Sequence, residues 1–262
     1  SIPMIAKIEK PEALENLSKI IDHFDGILVA RGDLGVEMPL EELPILQKKI
    51  VNRCLRKRKP VIIATQMLET MIVNPSPTRA EVNDVANAIY DGADAVMLSG
   101  ETAMGKYPIE TLKIMSAITK SVENDFDQSN FNRNIQFQRS GTINNRQSIA
   151  HAVFTLAKDM NIMHIVIMTE SGETAKQMAL YRPDAIIYAL CPNWNVCREL
   201  NLIWGIIPIL VEEFKSTDQM LNYSSTILKK LNFLNVGDVY ILTAGVPVGI
   251  SGTTNMLKIH EA

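Results

Sequence analysis

The chain has 262 residues, of which 47% are apolar and 21% charged, and its net charge is −3. That length supports one large domain or two medium ones with sizeable cores, and the composition argues against disorder. The charge offers no basic surface to nucleic acid, no run reaches the roughly 18 apolar residues of a membrane span, and no signal peptide is visible.

In chain order, the first apolar run, Met4 to Ile8, ends at Glu9. Pro11 suits a helix start, and Leu14, Leu17, Ile20 and Ile21 form a helical stripe. Asp25-Gly26 turns the chain into Ile27 to Ala30, which ends at Arg31, Gly32 and Asp33. A helix over Pro44 to Cys54 leads to the basic cluster Arg53, Arg56, Lys57, Arg58 and Lys59. That cluster reads as a solvated helix C-terminus rather than a phosphate site. Val61 to Ala64 ends at Thr65 and Gln66. Thr78 and Glu81 form a capping box for a helix to Tyr90. Ala95 to Leu98 ends at Ser99, Gly100 and Glu101, and Pro108 to Val122 is helical. Unbroken apolar runs separated by helices predict parallel strands buried on both faces. Active sites of such sheets lie beyond the carboxyl ends of the strands, so the four polar clusters share one side.

Residues 124–147 are rich in Asn, Gln, Asp, Ser and Arg and read as a linker between a domain over 1–123 and another over 148–262. Beyond it, Ser148 is predicted to cap a helix through Met160. Strand-like runs follow at Ile165 to Met168, Ala185 to Leu190, Ile206 to Val211, Val239 to Leu242 and Met256 to Ile259. Helices over Thr174 to Tyr181, Val196 to Leu200 and Thr217 to Leu231 alternate with most of them. This is a second α/β domain on a mostly parallel five-stranded sheet. Cys54, Cys191 and Cys197, odd in number and without metal-ligand spacing, read as reduced thiols and point to the cytoplasm. Ser1-Ile2-Pro3 leads almost directly into a strand without an initiator Met, which suggests that something upstream is missing.

Glu9 and Asp33 sit one strand apart at the same end of the sheet. They suit Mg²⁺ or Mn²⁺, or are acidic residues on exposed loops. Gly32 and Gly35 favour the first reading, because they let the backbone bend and expose N–H groups to an anion. Lys7 shares a strand face with Glu9 and is either a lysine at a barrel mouth or one snorkelling outward. Thr65 is a proton-relay hydroxyl or an ordinary strand-end threonine, and Ser99 to Thr102 is a turn or a site wall. Thr169-Glu170-Ser171-Gly172-Glu173-Thr174 opens a helix straight after a strand. It is a phosphate pocket or an N-cap at Ser171. A glycine-rich loop, Ala244 to Asn255, could close over the same ligand.

Together these segments resemble the pyruvate kinase family. The resemblance rests on Ile5 to Glu9, Val29 to Glu37, Ala64 to Glu69, Pro77 to Glu81 with Asp84 to Ala88, and Met97 to Ala103. In the second domain it rests on Thr169 to Ala175 and Gly249 to Asn255. It implies the second half of a TIM (β/α)8 barrel followed by an effector and assembly domain. It also implies phosphoryl transfer from phosphoenolpyruvate to ADP, giving pyruvate and ATP. Lys7 resembles the lysine that stabilises the transferring phosphoryl group, and Glu9 and Asp33 resemble the metal ligands. Gly32, Asp33 and Thr65 resemble the substrate cradle, with Thr65 also in a proton relay. Thr169, Glu170, Ser171, Gly172 and Thr174 resemble the effector phosphate segment. The Ala244 to Asn255 loop has no Lys or Arg, which points to a monophosphate effector or none. Only the last four barrel strands match. The potassium ligands, the phosphate-facing arginine and asparagine and the lid belong to earlier strands, so this chain alone is expected to be inactive. The half barrel over 1–123 is expected to need the missing half, or a partner chain, for stability, and the whole enzyme is expected to be a homotetramer. Two other readings stand beside this one: a non-catalytic phosphometabolite-binding or assembly module, and a metal-dependent oxo-acid aldolase or lyase.

Overall fold

The computed structural model describes residues 2–125, 144–214, 216–247 and 254–262. The chain divides into two compact units, Ser1–Asp127 and Gln128–Ala262.

In the first unit, β1 (Ile5–Ile8), β2 (Gly26–Ala30), β3 (Val61–Ala64) and β4 (Ala95–Met97) form one parallel sheet in sequence order. The inner strands β2 and β3 are almost wholly buried, whereas β1 and β4 carry exposed residues such as Ile5 and Met97. The sheet is the partial barrel of the sequence reading, and it does not close within the described residues. Helix Leu43–Lys57 turns Gln47, Ile50, Val51, Cys54 and Leu55 inward. It ends at Arg58, which adopts a left-handed C-cap at φ +55°, and Lys57 pairs with Asp22 at 2.7 Å. The basic cluster thus closes a helix, as its sequence suggests. Helix Arg79–Tyr90 carries the full Thr78/Glu81 capping box.

In the second unit the strand order is β7-β6-β5-β8-β9, with β5 (His164–Met168), β6 (Ile186–Cys191), β7 (Ile206–Leu210), β8 (Val239–Gly245) and β9 (Thr254–Glu261). Among the described strands of this sheet, β9 alone runs antiparallel. Alternation explains why these runs are unbroken. Ile165, Ile167, Ile187, Ala189 and Ile241 face one core, and Val166, Met168, Tyr188, Leu190, Tyr240 and Leu242 face the other. Both faces are covered, so both sets must be apolar. Pro208 lies on the edge strand β7, where a missing N–H costs no ladder bond.

The first helix of this unit corrects an expectation. It spans Asn145–Asp159 and is capped by Asn144, not by Ser148. Asn144 and Gln147 form a reciprocal capping box, which satisfies two of the orphan N–H groups and sets the start earlier. Of the predicted linker, 126–143 lie outside the described residues. Among the described residues, no helix is long and apolar enough to cross a membrane.

Candidate active site

β1 delivers Lys7 and, just past its end, Glu9. β2 ends at Ala30 and the chain turns at once into helix Arg31–Glu37, with Asp33 in its first turn. The Lys7 ammonium lies 2.6 Å from Glu9 Oε2 and 2.8 Å from Asp33 Oδ2. The three side chains are about half exposed, so the cluster faces solvent at the strand ends. Hydrogen bonds to Asp33 and then to Glu9 push the Lys7 pKa well above the ordinary lysine range. The Lys7 ammonium in turn holds the Asp33 carboxyl below its usual value. Two carboxylates and one ammonium leave a net negative charge. Such a pair of hard oxygen donors fits a Mg²⁺ or Mn²⁺ ion that takes few ligands from protein and the rest from water and substrate. No group of three or more His, Cys, Asp or Glu side chains suited to a metal exists among the described residues.

Gly32 and Gly35 do not form the open glycine loop that the sequence suggests. Both belong to helix Arg31–Glu37, and neither is among the residues with positive φ. The Gly32 N–H is not free for an anion, since it donates to Thr65 Oγ1 at 2.7 Å. The lack of a side chain serves close approach at Gly35, while at Gly32 a Cβ would meet only ordinary contact. A Cβ on Gly32 would lie 3.4 Å from Thr65 Oγ1, and one on Gly35 would lie 3.2 Å from Leu43 Cδ1.

Thr65 follows β3 and joins the cluster through Gly32. Its hydroxyl donates to the Ala64 carbonyl at 2.6 Å while accepting from the Gly32 N–H. Thr65 and Gln66 both lie in the left-handed region, at φ +67° and +53°. For a β-branched residue that is a strained conformation, which persists only when its surroundings impose it.

Two buried side chains organise this region: Arg31, to which the sequence reading gave no role, grips the turn itself, and Glu101, from the Ser99 to Thr102 segment, fastens the residues beyond it. Arg31, buried, sends Nη2 to the carbonyls of Thr65 (2.8 Å) and Gln66 (3.2 Å). Its Nη1 meets Asp84 at 2.6 Å. Glu101, 2% exposed, accepts from Ser99 N at 2.7 Å and from Leu68 N at 3.3 Å, which ties the end of β4 to the segment after β3. An arginine placed between a buried strand end and a glycine was the available signal for the first. A glutamate in the turn after β4 was the signal for the second.

In the second unit, the Thr169–Thr174 segment is folded onto itself. Thr169 Oγ1 accepts from Gly172 N at 2.9 Å, and the Thr174 hydroxyl meets that of Thr254 at 2.7 Å. Ser171 is not the N-cap. Gly172, at φ +77°, takes that place for helix Glu173–Ala179 without a side-chain cap. Burial, with Glu213 nearby, pushes the Glu170 carboxyl above its ordinary range. Residues 248–253 of the predicted closing loop lie outside the described residues.

Comparison with known proteins covers both units. Residues 1–112 match the family model for the pyruvate kinase barrel domain, and 147–260 match that for the pyruvate kinase alpha/beta domain. The pyruvate kinase of Clostridium acetobutylicum is 42% identical over 99% of this chain and 54% of its own length. That of Staphylococcus saprophyticus is 45% identical over 99% of this chain and 44% of its own. A crystal structure of a pyruvate kinase from Cryptosporidium parvum superposes with a TM-score of 0.92 at 36% identity, covering all of this chain and 52% of that one. The chain therefore spans about half the length of the relatives it matches. With each unit matched to its own domain model and the likeness running through nearly the whole sequence, the chain belongs to the pyruvate kinase family.

Proposed function

We propose that the protein carrying this chain transfers a phosphoryl group from phosphoenolpyruvate to ADP, yielding pyruvate and ATP in the cytoplasm. The observation that carries this reading is Lys7 held between Glu9 and Asp33, next to the Gly32–Thr65 contact. Phosphoryl transfer asks a protein mainly for positioning and charge neutralisation. Glu9 and Asp33 would hold Mg²⁺ or Mn²⁺, which supplies positive charge for the phosphate and enolate oxygens. Lys7 then turns its ammonium from the carboxylates to the migrating phosphoryl group, where charge builds in the transition state. The Gly32 N–H moves from Thr65 Oγ1 to the substrate carboxylate. That exchange empties an acceptor site on Thr65 Oγ1, which can then take a proton from water as its own O–H turns from the Ala64 carbonyl to the enolate carbon. Potassium, whose ligands the family carries in earlier strands, belongs to the complete enzyme, as does assembly into a homotetramer.

Thr169, Glu170, Ser171, Gly172 and Thr174 are the proposed effector phosphate segment, supported by the match of the second unit to its domain model. A phosphate there would replace the two internal hydroxyl contacts of Thr169 and Thr174.

A lactate dehydrogenase-coupled assay of the full-length gene product with phosphoenolpyruvate, ADP, Mg²⁺ and K⁺ tests the proposal. Pyruvate formation that requires both substrates is expected. A folded product that forms no pyruvate, yet binds sugar phosphates by calorimetry, would replace the kinase reading with the binding-module one.

A further inference from the structure

We propose that Arg31, braced by Asp84, is a positioning residue that holds the left-handed Thr65–Gln66 turn and so fixes the Thr65 hydroxyl for proton transfer. This rests on the phosphoryl-transfer reading given above.

Arg31 is poorly placed for stability alone. It is the first residue of helix Arg31–Glu37, where a cation opposes the helix dipole. It is 9% exposed, so its charge is largely taken out of water. Its Nε has no partner among the described residues. Each feature costs stability, and an apolar side chain would avoid all of them. The guanidinium instead spends its donors on particular targets. Nη2 reaches the carbonyls of Thr65 and Gln66 and lies 2.8 Å from Met67 Sδ. Those carbonyls belong to Thr65 and Gln66, the two residues of this turn whose φ is positive. Nη1 is anchored by Asp84 at 2.6 Å, and Asp84 sits on helix Arg79–Tyr90, a separate rigid element.

The consequence falls on the hydroxyl. Thr65 Oγ1 meets the Gly32 N–H, and Gly32 is the residue after Arg31. One residue therefore grips the turn from its backbone side and, through its neighbour, from its hydroxyl side. A planar fork can serve the carboxylate and the carbonyls at once, whereas a lysine ammonium cannot.

The test is Arg31→Lys, with Asp84→Asn as a second variant that keeps the shape and removes the anchoring charge. Three readings are taken on the full-length gene product: steady-state kinetics, exchange of pyruvate methyl protons with solvent deuterium, and amide hydrogen exchange across residues 64–68. In Arg31→Lys, kcat and methyl exchange are expected to fall together by about 100-fold, the scale of a misplaced reacting group. KM for phosphoenolpyruvate should rise by much less than kcat falls, because the cradle loses alignment but keeps its metal ligands and Lys7. Amides 64–68 should exchange faster while the second unit is unchanged, and Asp84→Asn should lie between. A merely structural role would lower the melting temperature and leave kcat and methyl exchange per folded molecule as they were, which overturns the proposal. Unchanged amide exchange at 64–68 in both variants also overturns it. A wild-type product with neither pyruvate formation nor methyl exchange refutes the phosphoryl-transfer reading itself, and the amide exchange still decides whether Arg31 holds the turn.

Discussion

Replacing Gly172 by alanine separates two physical costs, because the structure offers a matched control. Gly172 has φ +77°, and an added Cβ would lie 3.1 Å from Leu200 Cδ2 and 3.2 Å from Val196 Cγ1. Gly205 has φ +71°, and nothing lies within 4 Å of its added Cβ. Both substitutions incur the left-handed penalty of an L residue, about 1–2 kcal/mol. Both regain about 0.4–1 kcal/mol from a less flexible unfolded chain. Gly205→Ala should therefore destabilise by about 1 kcal/mol. Gly172→Ala adds crowding of two packed aliphatic side chains, about 1–3 kcal/mol, for a total of about 2–4 kcal/mol. Urea unfolding followed by tryptophan fluorescence measures this cleanly. The chain has two tryptophans, Trp194 and Trp204, and both lie in the second unit. The m-value should stay constant while the midpoint falls. Two variants equal within about 0.5 kcal/mol would refute the crowding argument. If both cost less than about 0.5 kcal/mol, the left-handed penalty is refuted as well.

Lys7→Met should lower turnover by about 100- to 1000-fold, since it removes the charge offered to the phosphoryl group. The same variant should bind Mn²⁺ more tightly by electron paramagnetic resonance, because Glu9 and Asp33 lose the ammonium that competes for them; weaker Mn²⁺ binding would argue against their role as ligands. Glu81→Ala should destabilise the first unit by about 1–2 kcal/mol, as Glu81 accepts from Thr70 N, Thr70 Oγ1 and Thr78 N at 2.6–2.7 Å. Burial works the other way, but those hydrogen bonds hold Glu81 below its ordinary range. A depressed carboxyl stabilises the fold above its unfolded pKa and loses that contribution as pH falls through its folded value. Glu81→Ala should thus flatten the acid limb of melting temperature against pH below about pH 4.5, and an unaltered limb would contradict the assignment. Asp33, lowered by Lys7, has the same sign, so Lys7→Met should also shift part of the acid limb.

Elements whose causes are local were legible in the order of the amino acids. Runs such as Ile27 to Ala30 and Val61 to Ala64 became buried strands, Thr78 and Glu81 became a capping box, and Arg56 to Arg58 became a helix end. Neighbouring residues contain that information, because periodicity and caps act over one turn or one strand. The acidic pair and Lys7 were legible for a related reason: parallel strands deliver their last residues to one side of a sheet. What the tertiary structure alone decided was the use made of those ends. Arg31 finds Asp84 53 positions away and Thr65 34 positions away. The glycines beside Asp33 became helix rather than loop, whereas the Asn144–Gln147 box that begins the next helix was a local signal that the Ser148 reading passed over. Donors choose among acceptors only once strand order has brought distant segments together, and here the left-handed Thr65 is held by an arginine from the helix that follows a neighbouring strand.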